Sequence, residues 1–375
     1  MTDRINADFL TRPGFRALAA LFAAQGWRLW AVGGCVRDVL LNRPVGDIDL
    51  CSDAAPDQVI AAAETTGMHC IPTGLAHGTV TVIFGDEPYE ITALRQDTET
   101  FGRHATVTFT DDLAQDAARR DLTMNALYLT PDGLLVDPLN GLPDLLAQRV
   151  RFVGDPARRI AEDYLRILRF FRFFAWYGRP GQADAAALTA CAKGRAGLAQ
   201  LSRERIGQEI RRLLAAPDPV ETLNLMQETG VLQDILPGAD PAPVTQLGAA
   251  GWQARLAALA PFSVTDALRL SKAESRHHDQ ILRAAEQGWS LDRIGYHLPP
   301  DTAVDAAALA GLREPGWQER LTRAAAARLP ISAAELPDLS GPAIGTGLRA
   351  AETEWIASGF NISKQALIQI AKGQT

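Results

Sequence analysis

Lysine is scarce in this chain. Four lysines (Lys193, Lys272, Lys364 and Lys372) stand among 37 basic residues, so positive charge is carried by arginine, the side chain suited to fixed, bidentate contact with phosphates and base edges. Cysteine is also scarce, and Cys35, Cys51, Cys70 and Cys191 show no paired spacing. That excludes a disulfide frame and a cysteine zinc site, and predicts free thiols in a reducing cytoplasm. No apolar run reaches membrane-spanning length, so no membrane segment is expected. The opening residues Met1 to Asp8 carry acids and no apolar stretch, unlike a secretory leader. Neither a Gly-x-Ser-x-Gly elbow nor a Gly-x-x-x-x-Gly-Lys-Ser/Thr phosphate loop occurs. His277-His278-Asp279 suggests a metal-dependent phosphohydrolase, but no histidine lies between His104 and His277 to complete one.

What is present fits a globular protein of 375 residues, 47% hydrophobic and 22% charged. Its length predicts two domains, or one with extensions. The net charge of −7 argues against a nucleic-acid partner only on average. Arg149 to Arg172 holds seven arginines against Asp155, Glu162 and Asp163. Strand and helix signals mix over residues 1–145. A helix is expected over 15–26, strands over 28–32 and 47–51, a helix over 56–66, and a hairpin from 78–84 to 89–94 around Gly85-Asp86-Glu87-Pro88. Strand signals then fade, and helices are expected over 157–177, 182–192, 203–215 and 219–230. Pro237 to Pro243 reads as a linker. The pattern is an α/β head over residues 1–145 followed by an all-α body.

Gly33-Gly34, between strand and helix, removes two side chains and lets a phosphate approach backbone N–H groups, with Arg37 one turn on. Asp47 and Asp49, two apart on a strand, point to one side. Paired carboxylates beside a phosphate cradle suit magnesium, and two such metals can activate a 3′-hydroxyl and stabilise a leaving pyrophosphate. Glu90 is the candidate third carboxylate. Arg119-Arg120-Asp121, followed by Asn125, suits triphosphate or ribose contact. Asp163, Arg166, Arg169 and Arg172 recur every three residues and predict one polar ridge on an otherwise apolar helix. Three buried guanidiniums need either a nucleotide phosphate or structural acids as partners. An Asp163/Arg166 pair also suits base reading. The carboxylate accepts from the amino group of cytosine or adenine, and the guanidinium donates to a ring nitrogen. Uracil and guanine place a carbonyl against the carboxylate.

Together, Gly33-Gly34-x-x-Arg37-Asp38, Asp47-x-Asp49, Arg119-Arg120-Asp121-x-Thr123-x-Asn125-Ala126 and Glu162-Asp163-x-x-Arg166-x-x-Arg169 resemble the class II tRNA nucleotidyltransferases. These are the CCA-adding enzymes and bacterial poly(A) polymerases of the DNA polymerase β-like superfamily. The strong motifs span residues 30 to about 175. Weaker likeness continues through Glu204 to Leu214 and at Gly341-Pro342-Ala343-Ile344-Gly345 with Trp355-Ile356. The resemblance implies an α+β protein: a catalytic head with a mixed or antiparallel sheet (1–145), then an elongated helical neck (146–236), body and tail (237–375) that hold the tRNA acceptor arm and 3′ end, with CTP and ATP as substrates, Mg2+ as cofactor and no protein partner.

By position, Gly33, Gly34 and Arg37 would meet the nucleotide, Asp47 and Asp49 the metal, and Arg120, with Asp121 and Asn125, the triphosphate or ribose. Asp163 and Arg166 would read the base, supported by Arg169 and Arg172. Residues 95–110, with Arg95, Asp97, Arg103 and His104, match a flexible loop that helps switch from C to A addition. Thr73 to Thr79 resembles the CCA-adding branch. A poly(A) polymerase, an enzyme adding only CC or only A, and a catalytically silent RNA-binding protein on the same scaffold are the alternatives.

Overall fold

The computed structural model describes residues 4–75, 78–101 and 104–373. Chain order begins with α1 (Pro13–Ala24), which opens on Pro13, where a missing N–H costs nothing. Next come β1 (Leu29–Val32), α2 (Gly34–Leu40), β2 (Asp49–Ser52), α3 (Pro56–Thr65), β3 (His69–Gly74), β4 (Thr79–Phe84), β5 (Glu87–Ala93), β6 (Arg95–Phe101), β7 (His104–Phe109), α4 (Leu113–Arg119), β8 (Tyr128–Leu129) and β9 (Leu135–Val136). Seven strands form one sheet in the order β3-β4-β5-β2-β1-β8-β9. β2 and β5 pair in parallel and the other neighbours antiparallel, so the sheet is mixed. Apolar β1 is buried throughout, while the start of β2 alternates, with Asp49 exposed and Leu50 buried.

Two departures from the sequence expectations lie here. The segment Cys70-Ile71-Pro72 joins the sheet as β3, although its proline interrupts strand character. The segment expected as a flexible loop contains an antiparallel ribbon, β6 against β7. Ala76, His77 and Arg103, and the side chains of Asp97 and His104, lie outside the described residues.

The helices α5 (Leu142–Leu146), α6 (Pro156–Glu162), α7 (Leu165–Tyr177), α8 (Ala185–Gly194), α9 (Arg203–Leu214), α10 (Val220–Glu228) and α11 (Val231–Ile235) follow. The helix expected over 157–177 is two helices. Asp163 takes extended dihedrals (φ −153°, ψ 109°), and its Oδ1 accepts the Leu165 N–H at 3.0 Å. A short carboxylate competing for a backbone donor is a common way to end one helix and begin the next. The polar ridge therefore consists of Arg166, Arg169 and Arg172 on α7, with Asp163 at the junction before it.

The chain forms two units: residues up to Glu209 with Asn224–Ile235, and Ile210–Leu223 with Leu236 onward. The composition shift near residue 145 falls inside the first. The second contains α12 (Trp252–Leu259), α13 (Thr265–Leu268), α14 (Lys272–Glu286), α15 (Leu291–His297), α16 (Pro300–Leu309), α17 (Trp317–Ala326), α18 (Pro342–Ala357) and α19 (Lys364–Ala371). One of its cores gathers Ile281, Ala284, Ile294, Ala306, Ala307 and Leu321; another gathers Leu336, Ala351, Trp355 and Leu367. Buried Arg255 donates to the carbonyls of Leu214, Ala216, Pro217 and Gly248, satisfying acceptors at the end of α9. No described helix is long and apolar enough to cross a membrane.

His277 and His278 are packing residues of this unit. His277 Nε2 lies 2.9 Å from Asp305 Oδ2, and no group of three or more His, Cys, Asp or Glu among the described residues is placed to hold a metal. His278 is buried, its Nε2 has no hydrogen-bond partner among the described residues, and burial pushes its pKa below the ordinary 6.5. Burial does the same to His297. The unfolded chain therefore takes up these protons near pH 6.5 while the folded chain does not, and stability falls as pH drops below about 7. Denaturant melts at pH 7.5 and 5.5 check this: His278→Gln should flatten the loss. An unchanged pH slope in that variant would remove His278 from the account.

Candidate active site

The site is built where β1 runs into α2. Gly33 adopts φ +74°, ψ −118°, a region open to glycine and strained for any other residue. Its N–H donates to the Leu127 carbonyl at 3.2 Å, and its carbonyl accepts from Arg37 N at 3.0 Å. A Cβ at Gly33 would lie 3.8 Å from Arg120 Nη1, and one at Gly34 would lie 3.8 Å from Arg37 Nη2. The two glycines thus form a bare backbone surface with two guanidiniums beside it.

Arg37 is buried and its geometry is fixed. Nη1 donates to Asn125 Oδ1 at 2.8 Å, Nη2 to the Tyr177 hydroxyl at 2.8 Å, and Nε to Asp38 Oδ1 at 3.2 Å. Its guanidinium also lies 4.2 Å from the Tyr177 ring centre, a favourable cation–π distance. Asn125 in turn donates from Nδ2 to Asp121 Oδ1 at 3.1 Å, and Asp121 Oδ2 accepts from Arg169 Nε at 2.6 Å. A buried relay, Arg37–Asn125–Asp121–Arg169, therefore connects the Gly-Gly turn to α7. Burial opposes a charge on Asp121, but Arg169 and its hydrogen bonds outweigh that and hold the carboxyl far below the usual range. In this structure Asp121 and Asn125 spend their polar atoms on Arg37, Arg169 and the Leu122 N–H.

Asp47 and Asp49 flank buried Ile48, and both are exposed. Asp47 precedes β2 in a bend rather than lying in the strand, yet the alternation carries through it. Glu90 on β5 stands directly opposite Asp49 in the parallel register. Although the Asp49 side chain reaches solvent, the protein around it displaces enough water to raise its pKa, with Glu90 and Asp47 adding to the rise and Arg120 opposing. Two exposed carboxylates beside a third suit a divalent cation, which relieves their repulsion, although no three such groups among the described residues are placed to hold one together. Asp47 and Asp49 are the candidate ligands, with Glu90 as the neighbouring charge.

Each ridge arginine has a carboxylate partner. Arg166 Nη1 donates to Glu162 Oε2 at 2.6 Å, Arg169 to Asp121, and Arg172 Nε to Glu209 Oε2 at 2.5 Å. Of the two compensations the sequence left open, structural acids are the one present. Asp163 is half-buried and accepts from Arg205 Nη2 at 2.7 Å. Arg159 donates to Glu162 and to the carbonyls of Arg119 and Arg120, joining α6 to the Arg-Arg segment.

Five contributing residues escaped the sequence reading: Asp116, Tyr128, Tyr177, Arg205 and Glu209. Asp116 stands three and four residues before Arg119 and Arg120, so recognising α4 would have revealed it. Glu209 is a lone acid on a buried helix face, a signal of a cationic partner.

Comparison with known proteins agrees with this geometry. Residues 29–151 match the poly A polymerase head domain, and residues 184–242 match a domain described as the probable RNA and SrmB-binding site of polymerase A. The mitochondrial CCA tRNA nucleotidyltransferase 1 of Danio rerio is 34% identical over 96% of this chain and 91% of its own length. The CCA-adding enzyme of Bacillus licheniformis is 37% identical over 58% of this chain and 53% of its own. The crystal structure of the Bacillus stearothermophilus CCA-adding enzyme in complex with CTP superposes with a TM-score of 0.76 at 26% identity, covering 97% of this chain and 98% of that one. The chain belongs to the family of CCA tRNA nucleotidyltransferases, the CCA-adding enzymes.

Proposed function

We propose that this protein adds C, C and A to the 3′ end of tRNA from CTP and ATP without a nucleic-acid template, releasing pyrophosphate at each step. The observation that carries the reading is the gathering of the Gly33-Gly34 turn, Arg37 and Arg120 around one strand end, on a chain 34% identical to such an enzyme along nearly its whole length. Residues 1–145 serve as catalytic head, 146–236 as neck and start of the RNA-binding body, and 237–375 as the body and tail that hold tRNA. Four free cysteines suit the reducing cytoplasm, to which we assign the protein.

Asp47 and Asp49 would hold magnesium, which when bound polarises the attacking 3′-hydroxyl and stabilises the departing pyrophosphate. The chain's own residues supply positioning. Gly33 and Gly34 let the triphosphate approach the backbone. Arg120 presents Nη1 toward Gly33, where it binds the triphosphate charge in the bound substrate and the transition state alike. Arg37, held on three sides, fixes the nucleotide's orientation. Asp163 and Arg166 meet the base edge, with Arg205 and Glu162 setting their directions.

Asp163 has lone pairs beyond those used by Leu165 and Arg205, enough to accept from the N4 of cytosine or N6 of adenine. Equilibrium binding tests the reading: CTP and ATP should bind and UTP and GTP should not. Asp163→Ala should lose most of the discrimination, because an unmatched polar group in such a site costs a wrong base roughly 1–3 kcal/mol. Full retention of discrimination against UTP in that variant would remove Asp163 from base reading.

A further inference from the structure

Asp116 has no exposed surface, and no part of the proposed chemistry uses it directly. It is nevertheless engaged by both neighbouring arginines and by Tyr128. One oxygen accepts from Arg119 Nε at 2.7 Å and faces Arg119 Nη2 at 2.6 Å. The other accepts from Arg120 Nη2 at 2.9 Å, Arg120 Nε at 3.2 Å and the Tyr128 hydroxyl at 2.8 Å. Tyr128 is equally buried, and its hydroxyl accepts from Arg120 Nε at 3.0 Å. The Nε–Nη2 edge of Arg120 is thereby held from behind by two fixed groups. A guanidinium is planar, so fixing one edge fixes the third nitrogen. That nitrogen, Nη1, is the one beside Gly33.

Resting on the role given to Arg120 above, we propose that Asp116, backed by Tyr128, is a positioning residue that aims Arg120 at the nucleotide triphosphate. Asp116 touches no substrate. The carboxylate orients the guanidinium by two hydrogen bonds, and Tyr128 prevents rotation about that edge. The triphosphate is common to both substrates, so the contribution is the same for CTP and ATP.

The test compares Asp116→Asn, Tyr128→Phe, Arg120→Lys and the double variant D116N/R120K. Steady-state kinetics are measured for each nucleotide, with nucleotide Kd by equilibrium dialysis and thermal melts for folding. Asp116→Asn should raise KM for CTP and ATP together by about tenfold, the usual scale for losing a residue that orients a ligand-contacting group. Its kcat should stay within about threefold and its KM for tRNA should not move, as expected for lost uniform binding. Nucleotide Kd should rise by the same factor. Tyr128→Phe should shift KM in the same direction by less.

In the Arg120→Lys background, Asp116→Asn should add under about twofold, because both act through one guanidinium. Unchanged nucleotide KM in Asp116→Asn or Tyr128→Phe, or an equal effect in both backgrounds, would overturn the proposal while leaving the Arg120 reading intact. An Arg120→Lys enzyme with unchanged nucleotide KM would instead refute the Arg120 reading and this proposal with it. Should Asp116→Asn fail to fold, Tyr128→Phe decides alone.

Discussion

Replacing Asp47 or Asp49 with alanine should lower single-turnover nucleotide addition by about 10³-fold or more, since a metal's charge stabilisation is worth several kcal/mol and each 1.36 kcal/mol is tenfold in rate. The same substitutions should leave the melt within about 0.5 kcal/mol of wild type, as for other exposed positions. Asp49→Ala should even stabilise slightly, because it removes a carboxylate crowded by Asp47 and Glu90. Lost turnover with unchanged or improved stability is the signature of residues kept for chemistry. Glu90→Ala should cost less, since Glu90 acts as a neighbouring charge. Turnover near wild type in either aspartate variant would refute the site.

The second large effect is structural. Asp121→Ala should destabilise the first unit by about 3 kcal/mol. Removing one partner of a buried ion pair typically costs about 3–5 kcal/mol, and the low end applies because the Arg169 side chain keeps 32% of its exposure. Asn125 Nδ2 loses its acceptor as well. A thermal melt should shift down by roughly 6–12 °C for a unit of this size. Because Asn125 then holds Arg37 less firmly, KM for nucleotide should rise in material that remains folded. The carboxyl's depressed pKa gives the pH signature. The stabilisation is fully present above the ordinary 3.8 and is lost as pH falls toward the lower folded value. A melt within about 1 kcal/mol of wild type would show that Arg169 finds another partner.

These two cases mark what the sequence could reveal. Asp47-x-Asp49 was legible because two-residue alternation survives even where the first acid stands in a bend before the strand. The Gly-Gly turn was legible because strand, double glycine and helix follow one another locally, and Gly33 does take the left-handed φ that needs glycine. Asp121 and Asn125 stood out in the sequence as candidates for triphosphate or ribose contact. Their connection to Arg37 and Arg169 did not, because partners 88 and 48 residues away leave no local trace.

Helix periodicity carried across Asp163 and hid the break between α6 and α7, which depends on one carboxylate choosing the Leu165 N–H. Asp116 was invisible because α4 is only seven residues long and offers no apolar stripe. β3 was missed because a proline in a strand that pairs with one neighbour is tolerated only once the sheet's edge is known.

The activity is ordered, template-free addition of C, C and A. It is tested most directly by a single-turnover extension assay on a tRNA lacking its last three nucleotides, with magnesium and CTP alone, ATP alone, both, or all four nucleotides. CTP alone should add two residues, ATP should then add one and stop, and UTP and GTP should be ignored. A long tail from ATP alone, a permanent halt after CC with ATP present, or no extension under any condition would contradict it.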